Sequence, residues 1–307
     1  MGIRCRNILL CFDFSRIYRA ILTWGTDTIG HLRYICPMVK NRKNKIVYTI
    51  LLLLCATLFW YLENFYTPAT YSETGDSVGR TEIPRSLWPS STTGGIVQHN
   101  HFMLSYHEGY EQAEWVAYRL DRSHLTKDDR KRPYFIEDPK VVTKSADWRN
   151  YKGSGYDRGH LCPAGDRRFS EYAYNETFYT SNVSPQRKDF NAGIWNRLEQ
   201  QVRYWAKSDG PLTIITGGVL ERGLPTIGEE GVGVPKYFYK IVVRGTGDAM
   251  EMIAFLIPHR EDTGSLKKFV VPVDRLEELT RIDFFPGLPD GLEDVLEAGT
   301  DIDSWKF

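Results

Sequence analysis

Residues Ile46 to Leu62 form an uncharged run of seventeen that includes four consecutive leucines, Leu51 to Leu54. No other stretch so narrows what the chain can fold into. As a helix rising 1.5 Å per residue, the run extends about 25 Å, close to the roughly 30 Å of bilayer hydrocarbon. Lys40, Arg42, Lys43 and Lys45 precede it, Glu63 follows, and Trp60, Tyr61 and Tyr66 lie where an interfacial aromatic belt would be. Positive charge concentrated on one flank keeps that flank inside, so the amino terminus is expected on the cytoplasmic side and everything after Glu63 across the membrane. A cleaved signal peptide has a shorter apolar region and a small-x-small site, neither of which is evident. A buried core helix fits poorly between a basic cluster and a Pro/Ser/Thr/Gly-rich stretch. Of the three readings an uncleaved anchor is preferred.

The zero formal net charge of the 307 residues hides an asymmetry. Residues 1–45 hold nine Lys/Arg against two Asp/Glu, and the remainder holds 30 against 37. An acidic remainder does not coat itself in basic surface to attract nucleic acid; a polyanion would have to be met by a local cationic cleft and a metal ion. Of the five cysteines only Cys162 lies beyond the apolar run. That part therefore closes no internal disulfide, and no CxxC pair suggests zinc. Four regions result: a basic segment 1–45, in which Met38 is an alternative start that would leave 1–37 untranslated; the anchor 46–62; a linker 63–95 containing Pro68, Pro84 and Pro89; and a globular domain 96–307.

Within that domain Glu114–Leu120, Phe178–Val183 and Leu212–Thr216 read as strands, and Tyr237–Val243 with Met250–Ile257 as a strand pair joined through Gly245 and Gly247. Ala192–Lys207 reads as a helix, because Ile194, Leu198, Val202 and Trp205 share one apolar face and Gly210-Pro211 stops it. A second helix is predicted over Val273–Thr280, with Asp274 in its first turn. Strands with few intervening helices indicate an α+β fold with a mainly antiparallel sheet.

Three blocks carry chemistry: Asp157-Arg158-Gly159-His160, Ser181 to Gln186, and Asn191 to Glu199. Hydrolysing a phosphodiester requires a deprotonated water, neutralised phosphoryl oxygens and a stabilised leaving oxygen. Histidine suits the first task, since it titrates near physiological pH; a divalent ion suits the other two. Mg²⁺ keeps several waters and needs few protein ligands. His160 is thus the candidate base and Asn191, at the start of the predicted helix, the candidate metal ligand. Glu199, eight residues on and rotated about 80° at 100° per residue, leans toward the same end through metal-bound water. Arg158 can pair bidentately with a phosphate, Gly159 permits a tight backbone, and Asp157 is structural. Singly, each residue has a bland reading: a surface turn with a solvated ion pair, an Asn that merely caps a helix, a solvated Glu.

Together, Asp157 to Asp166, Thr180 to Gln186 and Asn191 to Glu199 resemble the signature blocks of the non-specific DNA/RNA endonuclease family. Trp115 to Leu120, Thr216 to Gly218 and Gly287 to Asp290 resemble further blocks in the same order. The resemblance covers roughly residues 96–300. It implies a ββα-metal (His-Me finger) core, one Mg²⁺ with Mn²⁺ as a substitute, and cleavage of DNA and RNA with little sequence preference to leave 5′-phosphates. It further implies His160 as general base, Asn191 as direct metal ligand, Glu199 acting through water, Arg158 at the phosphate and Asn182 positioning the site. Homodimers occur in the family. Cys162 departs from the alanine often found there and would be an exposed thiol beside the base. Arg167 and Arg168 are candidate phosphate contacts, as, more loosely, is Arg119. The competing reading is a non-catalytic nucleic-acid-binding or uptake protein on the same fold.

His99-Asn100-His101 invites a metal-site reading but has no partners at metal-site spacing; partly exposed strand residues are expected. Arg130-Lys131-Arg132 reads as a solvated loop, and Tyr151, Tyr156, Tyr172 and Tyr174 as core aromatics before base-stacking ones.

Overall fold

The computed structural model describes residues 42–65, 70–72 and 82–307. The expectations for residues 1–41 lie outside them. Helix α1 (Arg42–Phe65) contains an apolar window, Asn44–Leu62, of mean hydropathy 1.9 and none of it buried. By length and composition this helix can cross a membrane. Thr67–Phe307 form a second, separate compact unit.

That unit is built on an antiparallel sheet. Its strands are β1 (Ile96–Gln98), β2 (Met103–His107), β3 (Gln112–Leu120), β6 (Leu212–Gly218), β9 (Tyr237–Arg244), β10 (Glu251–Pro258) and β11 (Val270–Val271), paired in that order. Alternation along the central strands serves two cores at once. Val116, Tyr118, Ile214 and Val242 meet Leu198, Val202 and Trp205 of helix α3 (Asn196–Ser208) on one face. Trp115, Ala117, Ile215 and Ile241 meet Leu276, Phe284 and Leu288 on the other, around helices α4 (Val273–Thr280) and α5 (Asp290–Glu297). With both faces covered, β9 is buried from Phe238 to Val243, which is why its sequence reads as a near-continuous apolar run. Removing a residue such as Leu198 would cost about 2–5 kcal/mol through lost transfer energy and the cavity left.

Outside the sheet, β4 (Asp157–His160) and β5 (Val183–Gln186) make a two-stranded antiparallel ribbon. A turn at Lys188–Phe190 and a π-helical turn at Asn191–Trp195 then lead into α3. Helix α2 (Glu171–Glu176) lies between the two ribbon strands in sequence; β7 (Thr226–Ile227) and β8 (Val232–Gly233) form a small separate hairpin.

The predicted strands on β3, β6 and β9 are present with one end extended by one or two residues, β10 is shifted by one, and the helix on α4 has the predicted bounds. Four expectations need correction. Phe178–Val183 is not a strand: Thr180–Asn182 form a 3-10 turn and the strand starts at Val183. The predicted helix over Ala192–Lys207 is interrupted at Gly193, whose backbone is not helical, and α3 proper starts at Asn196; Asn191 therefore sits in the turns ahead of the helix and is not its N-cap. The linker ends sooner than Gly95, since Ile83 and Leu87 enter the second core and Trp115 Nε1 donates to the Ser90 carbonyl at 2.8 Å. His99 and His101 lie in the turn joining β1 to β2, 3% and 0% exposed. There His99 N–H donates to the Phe102 carbonyl at 2.9 Å.

Candidate active site

Arg158 and His160, two residues apart on β4, share one face of the ribbon. Between them Gly159 sits against Gln186, whose carboxamide would collide with any Cβ there. Register follows from this contact, because Asp157 pairs with Gln186 and His160 with Val183. Asn182, fully buried, locks the strand exits. Its Oδ1 accepts from Cys162 N–H at 2.8 Å, and its Nδ2 donates to the carbonyls of Cys162 (3.0 Å) and Thr177 (2.9 Å). The side chain is spent on backbone and positions His160 from two residues away.

Phe135 and Phe178, ring centroids 5.0 Å apart, form a shelf that gathers three nitrogenous groups. The His160 ring meets Phe178 edge-on at 4.9 Å and Phe135 at 5.5 Å. The Arg158 guanidinium stands 4.6 Å from the Phe135 centroid; that of Arg132 stands 5.4 and 5.6 Å from Phe135 and Phe178. Cation–π contact holds both arginines in place, and neither has an ion-pair partner among the described residues. Two unneutralised guanidiniums on one apolar shelf make an anion site. Burial, and then the fields of Arg132 and Arg158, push His160 down to about 3. The imidazole is therefore neutral at physiological pH. Its Nε2 is buried with no partner among the described residues.

Asn191 Nδ2 donates to Asp157 Oδ2 at 3.1 Å. A carboxylate only accepts, so the amide nitrogen must face Asp157 and the Asn191 carbonyl oxygen is left as the free end. Asp157 is thus structural, in the sense that it aims Asn191. Glu199, one turn into α3, has one oxygen 3.2 Å from Arg203, whose Nε in turn meets Asp166 at 2.5 Å. Burial raises the Glu199 carboxyl to about 7 despite Arg203. Beneath it Lys240, fully buried on β9, places its ammonium 4.8 Å from the Trp195 ring centroid with no hydrogen-bond acceptor. Burial lowers it to about 8.

Other candidates lie elsewhere. Arg167 is 0% exposed, its guanidinium donating to the carbonyls of Asp166, His101 and Arg119. A guanidinium committed in this way braces the core and meets no phosphate. Arg168 is half-buried and donates to the Asp128 carbonyl at 3.1 Å. Arg119 lines a different cleft, with Glu82, Arg85 and Trp88. Cys162 is buried, not exposed, and burial pushes its thiol up to about 12, so no reactive thiol stands beside the imidazole. Tyr151, Tyr172 and Tyr174 are core residues. In contrast Arg132, read as part of a solvated loop, stands over the two rings that His160 meets, one of them shared with Arg158. Its only signal in the sequence was Phe135 three residues on. Arg203 was legible as the i+4 partner of Glu199; Lys240 was not marked at all.

A ribbon bearing His and Arg, followed by a turn and a helix that carry a carboxamide and a carboxylate, suits phosphodiester chemistry. The profile of the DNA/RNA non-specific endonuclease family matches residues 85–291, and the chain belongs to that family. It is an endonuclease. Mitochondrial nuclease EXOG of Danio rerio is 34% identical over 244 residues, covering 74% of this chain and 71% of that protein. The human EXOG is 33% identical over 255 residues, covering 76% and 68%. Mitochondrial endonuclease G of Caenorhabditis elegans is 34% identical over 228 residues, covering 67% and 72%. A crystal structure of the EndoG/EndoGI complex matches with TM-score 0.59 at 29% identity, covering 64% of this chain and 87% of that one.

Proposed function

We propose that this chain is a Mg²⁺-dependent endonuclease with a ββα-metal core, Mn²⁺ serving as a substitute, that hydrolyses DNA and RNA with little sequence preference. The observation that carries the reading is the neutral, unpartnered imidazole of His160 beside two unpaired guanidiniums. Of its ring nitrogens Nε2 is buried, so Nδ1 is the one to take a proton from water. Arg158 and Arg132 bind the phosphate through its non-bridging oxygens and hold it over the shelf, a backbone contact that carries no sequence information. The free Asn191 oxygen, aimed by Asp157, fits a hydrated hard cation, and the unbonded oxygen of Glu199 fits one of that cation's waters. When bound, such an ion polarises the phosphate and stabilises the departing oxygen.

Residues 46–62 anchor the enzyme, and the catalytic domain stands across the membrane from the basic segment. The names of the mitochondrial relatives support a mitochondrial membrane, with the domain in the intermembrane space. A homodimer is part of the proposal. Plasmid nicking by the detergent-solubilised full chain tests the chemistry: cleavage with Mg²⁺ is expected to vanish with chelator and to slow by orders of magnitude with His160→Ala. Tight DNA binding without cleavage under any divalent metal would defeat it.

A further inference from the structure

The far side of the sheet carries a second constellation that the nuclease chemistry does not use. Asp274 and Glu277, one turn apart on α4, and Glu297, the last residue of α5, bring one carboxylate oxygen each to within 4.8 Å of one another. Like charges converge there without a counterion, since no Lys or Arg side chain forms an ion pair with any of the three among the described residues. Glu297 is 6% exposed and its Oε1 is buried with no partner. A carboxylate at a helix C-terminus also faces the negative end of the helix dipole, the opposite of the usual placement, and the last turn of α5 holds no basic residue. The cluster thus combines three acids, an orphaned buried oxygen and an unfavourable dipole at one point.

Its make-up suits calcium. The three oxygens lie no more than 4.8 Å apart, so one ion can reach all of them, and Ca²⁺ takes carboxylate oxygens in flexible geometry where Mg²⁺ demands a near-ideal octahedron. Ca²⁺ accepts irregular carboxylate cages completed by water, and the exposed Asp274 leaves room for water. Glu277 is held in place by the Phe284 N–H, which donates to its Oε1 at 2.8 Å, so one wall of the cage is fixed by the α4–α5 loop.

We propose that Asp274, Glu277 and Glu297 form a calcium site that clasps α4 to α5, separate from the nuclease centre. The two cannot be one site, because α4 and α5 pack on the face of the sheet opposite α3.

The test counts calcium bound to the full chain by equilibrium dialysis in an Asn191→Ala background, which removes the catalytic ligand. One ion per chain is expected in Asn191→Ala, and none once Glu297→Gln is added. Asp274→Asn, a change on the exposed rim that leaves the fold intact, should also abolish binding. Calcium should raise the thermal midpoint of Asn191→Ala by several degrees and that of the double variants not at all. Mg²⁺-dependent nicking by Glu297→Gln alone should stay within twofold of wild type, so a failure here is distinct from a failure of the nuclease reading. No calcium bound by Asn191→Ala, or undiminished binding in both double variants, overturns the proposal. So does a Glu297→Gln chain that is stabilised in chelator while Asn191→Ala binds no ion, for then the acids hold a proton instead.

Discussion

Two imidazoles, His160 and His99, lie inside the same domain in opposite company. His160 stands among arginines and aromatic rings, with a buried nitrogen that bonds to nothing. His99 places Nε2 2.7 Å from Asp138 and Nδ1 3.6 Å from Glu176, both carboxylates buried. Burial alone would lower both. At His99 the hydrogen bond to Asp138 and the pull of the Asp138 and Glu176 carboxylates outweigh burial and the pKa rises; at His160 the arginines add to it and the pKa falls. The contrast separates a group kept chemically free from one used as a tie. An unsatisfied buried nitrogen costs stability; His160 Nε2 faces no carboxylate among the described residues, whereas His99 Nδ1, also without a hydrogen bond, lies in the field of Glu176.

The comparison breaks most readily at turnover. His160→Ala should slow nicking by about 10²–10⁴-fold, the usual contribution of a positioned base, while Mg²⁺ affinity measured by calorimetry and the thermal midpoint stay nearly unchanged. Loss of Mg²⁺ binding in that variant would show that the roles of positions 160 and 191 are wrongly assigned. His99→Ala should do the reverse. Leaving two buried carboxylates unpaired costs about 3–5 kcal/mol in urea unfolding, with near-normal turnover in the folded fraction; a variant as stable as wild type would remove His99 from the framework.

Asp157→Ala sharpens the metal side. Freed from its carboxylate, the Asn191 amide can rotate, and the Mg²⁺ concentration for half-maximal activity should rise about 10–100-fold. Glu199 adds a pH signature. Its raised carboxyl must be ionised to serve the ion, so Mg²⁺ affinity should weaken as pH falls through about 7. A Glu199→Gln chain that keeps the same pH dependence would put the titrating group elsewhere.

The smallest effect lies in the stability profile. Because His99 is raised in the folded state, its contribution is fully present below its unfolded pKa, about 6.5, and is lost as pH rises through its higher folded pKa. The thermal midpoint should therefore drift downward with rising pH above about 6.5, and His99→Gln should flatten that drift.

The elements were legible where a period was long and unambiguous. Ile194, Leu198, Val202 and Trp205 mark one helix face, and each lies fully or almost fully buried against the sheet. Boundaries failed where tertiary bonds override local preference. Phe178 and Tyr179 look like strand residues but pack beneath His160 and His99, and the chain turns at Thr180–Asn182 before pairing with β4. Arg167 and Arg132 exchanged their expected roles for the same reason. Charge alone could not tell that the carbonyls of His101 and Arg119 would close around one guanidinium, or that a phenylalanine shelf would expose the other.

The sequence by itself determined the apolar helix, the central strands β3, β6, β9 and β10 and the apolar face of α3, since each depends on residues within a few positions of one another. Only the tertiary structure decided which cations stand free, which histidine is tied, and that three acids meet on the opposite face. Those outcomes depend on side chains brought together from remote parts of the chain, where the dielectric is low and one neighbour more or less reverses the sign of a pKa shift.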